Sequence, residues 1–131
     1  MKKEVMVIHS NIDEIDRVYR WLDESLRGLV DEEISQKIIL VCQEITTNAI
    51  IHGNRLLDKK LVIVTFTVNI TSNEIKIRIK DEGDGIKNLP SKEEAMNLDY
   101  LAEHGRGLKL AVLMSDNIEV NGNSIEATFK I

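Results

Sequence analysis

Residues 44–53 read Glu44-Ile45-Thr46-Thr47-Asn48-Ala49-Ile50-Ile51-His52-Gly53. They close a run that begins near Asp31, with Glu32 and Glu33 suited to the positive end of a helix, and in which Ile34, Ile38, Val41, Ile45 and Ala49 recur at helical spacing. At about 100° per residue, with Glu44 set at zero, those apolar residues fall between about 60° and 140°. Asn48 falls near about 40° and His52 near about 80°. Polar groups therefore line the margin and the middle of an apolar stripe. An unpaired buried polar group costs about 1–3 kcal/mol, so a purely structural helix would carry Leu or Ala at those places. Taken singly, Asn48 and His52 are equally well explained as side chains that bond to neighbouring loops or to a sheet, and Glu44 as a solvated residue.

Upstream of this helix, residues 4–8 are a short apolar run that reads as a strand. Ser10 or Asn11 offers an N-cap, and Ile12, Ile15, Val18, Tyr19, Leu22 and Leu26 then mark a first helix that stops at Gly28. Downstream of Gly53 the period becomes near-alternating. Residues 61–70 and 74–80 are rich in Val, Ile and Thr, and Thr71-Ser72-Asn73 between them has the composition of a hairpin turn. A loop, Asp81-Glu82-Gly83-Asp84-Gly85, is followed by a polar stretch over residues 87–104 that holds Pro90 and a short helix predicted over 91–98. Gly105-Arg106-Gly107 opens a helix through Met114, and two strands, 117–121 and 124–131, close the chain around Asn121-Gly122-Asn123. The order βααββ, an irregular segment, then αββ predicts an α+β fold of two layers, with helices packed on one face of an antiparallel sheet.

The 131 residues include 17 basic and 22 acidic side chains, a net charge of −5, with 43% apolar and 30% charged residues. One domain over residues 1–131 is expected, since this length buries about two-thirds of the unfolded surface but is too short for two cores. No apolar run reaches the ~20 residues of a membrane helix. The absence of a signal-peptide pattern and the lone Cys42 fit a cytoplasmic setting. The acidic balance and the lack of a basic cluster longer than two residues argue against direct nucleic-acid binding and for protein or small-molecule partners.

Two further segments carry chemistry. In Asp81-x-Gly83-x-Gly85 the glycines permit positive φ or close backbone approach to a ligand, and an aspartate at a strand end accepts from an amino group. The third position is glycine where a calcium-binding loop needs Asp or Asn, so this is not an EF-hand. In Gly105-Arg106-Gly107-Leu108 the helix start presents N–H groups and the positive dipole end to a phosphate. No Rossmann fingerprint and no GxxxxGK[ST] loop occurs. Together the three segments supply a metal-binding amide with a carboxylate base, an adenine acceptor and a phosphate cradle: a nucleotide site with a lid.

Residues 44–53 resemble the N box, Asp81-Glu82-Gly83-Asp84-Gly85-Ile86 the G1 box, and Gly105-Arg106-Gly107-Leu108 the G2 box of the gyrase, histidine-kinase and MutL ATPase superfamily. The resemblance spans nearly the whole chain and implies a Bergerat-type two-layer sandwich with a mixed, mostly antiparallel sheet. Within the superfamily, the initial strand and helix and the sequence TNAIIHGN are most similar to stand-alone anti-sigma-factor serine/threonine kinases.

The resemblance implies that Asn48 ligates Mg²⁺ on ATP and that Glu44 is the base toward an attacking hydroxyl. It implies that Asp81 accepts from the adenine amino group and that Gly83 and Gly85 admit base and sugar. Gly105 and Gly107 would hold phosphates with Arg106 beside them, and His52, Ile86 and Leu108 complete the nucleotide-binding set. The lid is expected at about residues 86–104. By analogy the partners are a sigma factor and an anti-anti-sigma factor, and a homodimer is implied, with the first strand and helix as interface. The same boxes also suit a non-catalytic ATP/ADP-dependent protein-binding switch, or a switch kinase in a phosphatase-activating pathway.

Overall fold

A computed structural model describes residues 1–85, 89–96 and 106–131. Strand β1 (Lys2–His9) leads into a 3-10 turn at Ile12–Glu14 and helix α1 (Ile15–Leu26), followed by α2 (Glu32–Asn48). Strands β2 (Leu61–Asn69) and β3 (Glu74–Lys80) form a hairpin. Helices α3 (Lys92–Met96) and α4 (Arg106–Met114) precede a second hairpin, β4 (Asn117–Asn121) and β5 (Ser124–Lys130). The sheet order is β1-β2-β3-β5-β4. All four pairings are antiparallel, so the sheet is purely antiparallel rather than mixed.

Alternation along the strands decides which face is covered. Val62, Val64, Phe66 and Val68 of β2 point to the same side as Ile75, Ile77 and Ile79 of β3 and Ile125, Ala127 and Phe129 of β5. They bury against Val18, Leu22 and Leu26 of α1, Ile38, Val41 and Ile45 of α2, and Ala111 of α4. Trp21 meets Phe66 edge-to-face at 6.4 Å. Helix α2 lies between α1 and α4 and on β3 and β5, which is why its buried face also takes in Ile39, Cys42 and Thr46, beyond the stripe expected from spacing.

Local signals set the boundaries. Asp31 caps α2 by accepting from Ile34 N–H at 2.9 Å. Of the two candidate caps before α1, Asn11 accepts from Asp13 N–H at 2.9 Å, while Ser10 is buried and donates to the Lys60 carbonyl at 2.7 Å. The Asn121–Ser124 turn uses Gly122 at φ +62°, and Asn73 serves the β2–β3 turn at φ +52°. The short helix is one turn, Lys92–Met96, closed by Ser91 Oγ accepting from Glu94 N–H at 3.1 Å. Ile86, Gly105 and most of the expected lid lie outside the described residues.

Candidate functional site

Helix α2 is α-helical to Asn48, and Ala49–Gly53 continue it as a π turn. Asn54 N–H reaches back five residues to the Ala49 carbonyl at 2.8 Å. A π turn takes more residues per revolution, so the chain falls behind the 3.6-residue spiral. His52 is consequently exposed at a cavity rim, not in the middle of the buried stripe where an unbroken α-helix would put it, and Ile50 is fully buried instead.

That cavity has a volume of about 410 Å³. Its apolar lining comes from Ile45 and Ala49 of the α2 end, Ile79 of β3, Leu108 of α4 and Ile125 of β5. Its polar groups are Asn48, His52, Arg55, Asp81, Asp84 and Asn123. The size and the apolar floor with few convergent polar groups suit a small-molecule site, for which about 300–1,000 Å³ is typical. Asn48 is half-buried, and its side-chain amide makes no hydrogen bond to another described residue.

Asp81 follows β3 directly, its N–H donating to the Asn123 carbonyl at 3.0 Å and so extending the β3–β5 ladder by one rung. Its Oδ1 accepts from Gly83 N–H at 2.7 Å. Burial pushes the Asp81 carboxyl above the ordinary aspartate range, opposed by the Gly83 hydrogen bond and by the Lys60 ammonium. The carboxylate lies directly over Gly53, where a Cβ would stand 2.2 Å from Oδ2. Gly53 is thus the residue that lets helix end and strand end come together.

The loop glycines make their close approaches to protein. A Cβ on Gly83 would stand 2.4 Å from the Gly53 carbonyl oxygen, and Gly83 is not in the cavity lining. Gly85, at φ +91°, lines the cavity and abuts the β4–β5 turn, where a Cβ would meet the Gly122 oxygen at 2.5 Å. Glu44, one turn before Asn48, is half-buried and outside the lining. Arg106 and Gly107 open α4, whose Leu108 reaches the cavity.

Of the residues singled out from sequence, Asn48, His52, Asp81, Gly85 and Leu108 converge on the cavity. Sequence reasoning missed Arg55, Asp84 and Asn123. Arg55 is held at φ +53° beside Leu56 at φ +59°, a left-handed pair without glycine that no local pattern announces. Asn123 had the signal of lying two residues before the inward-facing Ile125, which places it on the same face.

A nucleotide fits this donor set. Asp81 offers an acceptor in the lining, and the aliphatic residues suit a purine ring. Among the described residues no group of three or more His, Cys, Asp or Glu could hold a metal by itself. A single free amide oxygen at Asn48 suits a Mg²⁺ ion that is otherwise held by phosphates and water.

The family model described as "Histidine kinase-like ATPase domain" matches residues 8–129. The chain belongs to the histidine kinase-like ATPase family. Among its relatives, the "Anti-sigma F factor" of Clostridium perfringens is 31% identical over 109 residues, which cover 82% of this chain and 72% of that protein. The protein of the same name from Clostridium acetobutylicum is 34% identical over 102 residues, covering 74% of this chain and 66% of its own length. The histidine kinase domain of the Erythrobacter litoralis EL346 blue-light activated histidine kinase superposes with a TM-score of 0.53 at 17% identity, over 89% of this chain and 58% of that one. This last likeness bears on the fold alone. Membership in the ATPase family makes this a kinase-like, ATP- or ADP-binding domain. Among the described residues no helix is long and apolar enough to cross a membrane.

Proposed function

We propose that this domain is an Mg²⁺- and ATP-dependent serine/threonine protein kinase of the anti-sigma type, which binds a sigma factor and phosphorylates a serine of an anti-anti-sigma partner in the cytoplasm. The observation that carries the reading is the convergence of Asn48, Asp81, Gly85 and Leu108, far apart in the chain, on one cavity within a histidine kinase-like ATPase fold. The relatives' name, Anti-sigma F factor, supports the partner class.

Asp81 accepts a hydrogen bond from the adenine amino group, while Ile45, Ala49, Ile79 and Ile125 hold the ring and exclude water. Gly85 admits the sugar, and the phosphates are assigned to the N-terminal end of α4, where the sequence resemblance puts Gly105, Arg106 and Gly107. The Asn48 carbonyl oxygen would hold Mg²⁺, and a bound Mg²⁺ would supply neutralisation of phosphate charge. Glu44 takes the proton of the attacking seryl hydroxyl as the serine Oγ–phosphorus bond forms and the bond from the γ-phosphorus to the bridging oxygen breaks, leaving ADP.

The position of Glu44 outside the cavity lining is the specific observation that favours a second reading, a nucleotide-dependent protein-binding switch without transfer. Labelled ATP and an anti-anti-sigma partner decide between them. The kinase reading expects phosphoserine on the partner and a loss of about 10²–10⁴-fold in rate for Glu44→Ala, with ATP still bound. ATP binding without any phosphorylated partner would establish the switch instead.

A further inference from the structure

Asn54 is 0% exposed, yet it lies one residue past the first of the three boxes, as the last residue of TNAIIHGN, and outside the cavity lining. Its Oδ1 accepts from Glu82 N–H at 2.7 Å, and its Nδ2 donates to the Leu61 carbonyl at 3.0 Å and to Ser10 Oγ at 2.8 Å. The amide's orientation follows from these partners, since a backbone N–H requires the oxygen and a backbone carbonyl requires the NH₂. Ser10 Oγ in turn donates a hydrogen bond to the Lys60 carbonyl at 2.7 Å. Leu61 is held from both sides, because its N–H donates to Glu82 Oε2 at 2.5 Å. Asn54, Leu61 and Glu82 thus close a ring of hydrogen bonds that ties the end of the π turn to the start of β2 and to the loop after β3.

That loop carries the Asp81 carboxylate. The amide of Glu82 is pinned by Asn54, the next amide, that of Gly83, is pinned by Asp81 Oδ1, and Gly83 sits on the Gly53 carbonyl. A buried amide with all these partners has no water to turn to, so its orientation and that of the loop are set together. We propose that Asn54 is the positioning residue for base recognition: by holding Glu82 N–H it fixes the Asp81 carboxylate at the angle that selects a purine bearing a 6-amino group. The proposal rests on the reading that adenine meets Asp81.

The test uses ATP and purine riboside triphosphate, which differs from ATP only in lacking the 6-amino group, titrated calorimetrically into the full chain. Wild type is expected to favour ATP by about 10-fold or more, the worth of a hydrogen bond to a charged group. In Asn54→Ala that preference collapses to within about threefold, because ATP loses affinity and the deaminated analogue does not. In Ser10→Ala, which removes only the arm away from the loop, stability falls and the preference stays. An unchanged preference in folded Asn54→Ala overturns the positioning role alone, whereas wild-type protein without any preference overturns the adenine reading beneath it. Amide exchange in wild type covers the case in which Asn54→Ala does not fold. The Glu82 amide and the Asn54 side-chain NH₂ should be protected more by ATP than by the analogue, and equal protection would overturn the proposal.

Discussion

Substituting Gly53 by Ala should separate ligand binding from folding. A Cβ at residue 53 would stand 2.2 Å from Asp81 Oδ2, 2.6 Å from Cγ and 3.1 Å from Oδ1. The first distance is more than about 1 Å inside normal contact. The backbone at Gly53 is not left-handed, so alanine meets no torsional strain there. What must give is a carboxylate at the end of a side chain, which can rotate. Overpacking costs about 1–3 kcal/mol, and replacing glycine within a helical turn returns about 0.5–1 kcal/mol, leaving a net destabilisation of about 0–2.5 kcal/mol. The displaced carboxylate, however, no longer meets the adenine amino group. A lost hydrogen bond to a charged acceptor is worth about 1.5–3 kcal/mol, or about 10- to 150-fold in dissociation constant. Gly83→Ala is the contrast: its Cβ meets the Gly53 carbonyl oxygen at 2.4 Å and carbon at 2.8 Å, backbone atoms that cannot rotate away, so both stability and binding fall. Calorimetric titration of ATP alongside urea unfolding measures both quantities. Gly53→Ala protein that binds ATP within twofold of wild type would refute the reasoning.

Asp81 has its pKa raised by burial, so folding disfavours its charged form. Its contribution to stability is most favourable at low pH and is lost as pH rises through the raised value; Asp81→Asn should therefore relatively stabilise the ligand-free protein at neutral pH, measured by unfolding from pH 4 to 8. ATP affinity should run the other way, falling as pH drops through the raised Asp81 value because the acceptor becomes protonated, and Asp81→Asn should remove that part of the pH dependence while leaving the part that comes from the ATP phosphates. Asn48→Ala should weaken ATP binding more with Mg²⁺ than with EDTA, and equal losses would remove the ligand role. Cys42 is fully buried, with its thiol pushed up to about 12, so a thiol reagent should label it only after denaturation.

The architecture was legible because periodicity and turn chemistry agree along the chain. The alternation in β2 and β3, the Asn-Gly-Asn turn and the Asp31 cap each carry their own local signal. The π turn after Asn48 carries none, since the sequence from Ala49 to Gly53 is compatible with an ordinary helix; tertiary packing of Gly53 under Asp81 accompanies the departure. For the same reason His52 came out at the rim rather than in the stripe. Asn54 was invisible as a structural hub because its three partners lie 7, 28 and 44 residues away along the chain. The glycines of the loop after β3 were legible as close-approach positions, but spacing alone does not say that Gly83 approaches Gly53 and Gly85 approaches Gly122.

A crystal structure of the chain with Mg²⁺ and a non-hydrolysable ATP analogue bears most directly on the whole account. The base should lie among Ile45, Ala49, Ile79 and Ile125 with its amino nitrogen within about 3 Å of an Asp81 carboxylate oxygen. A nucleotide bound with its base elsewhere, or an Asp81 carboxylate left facing water, would contradict it.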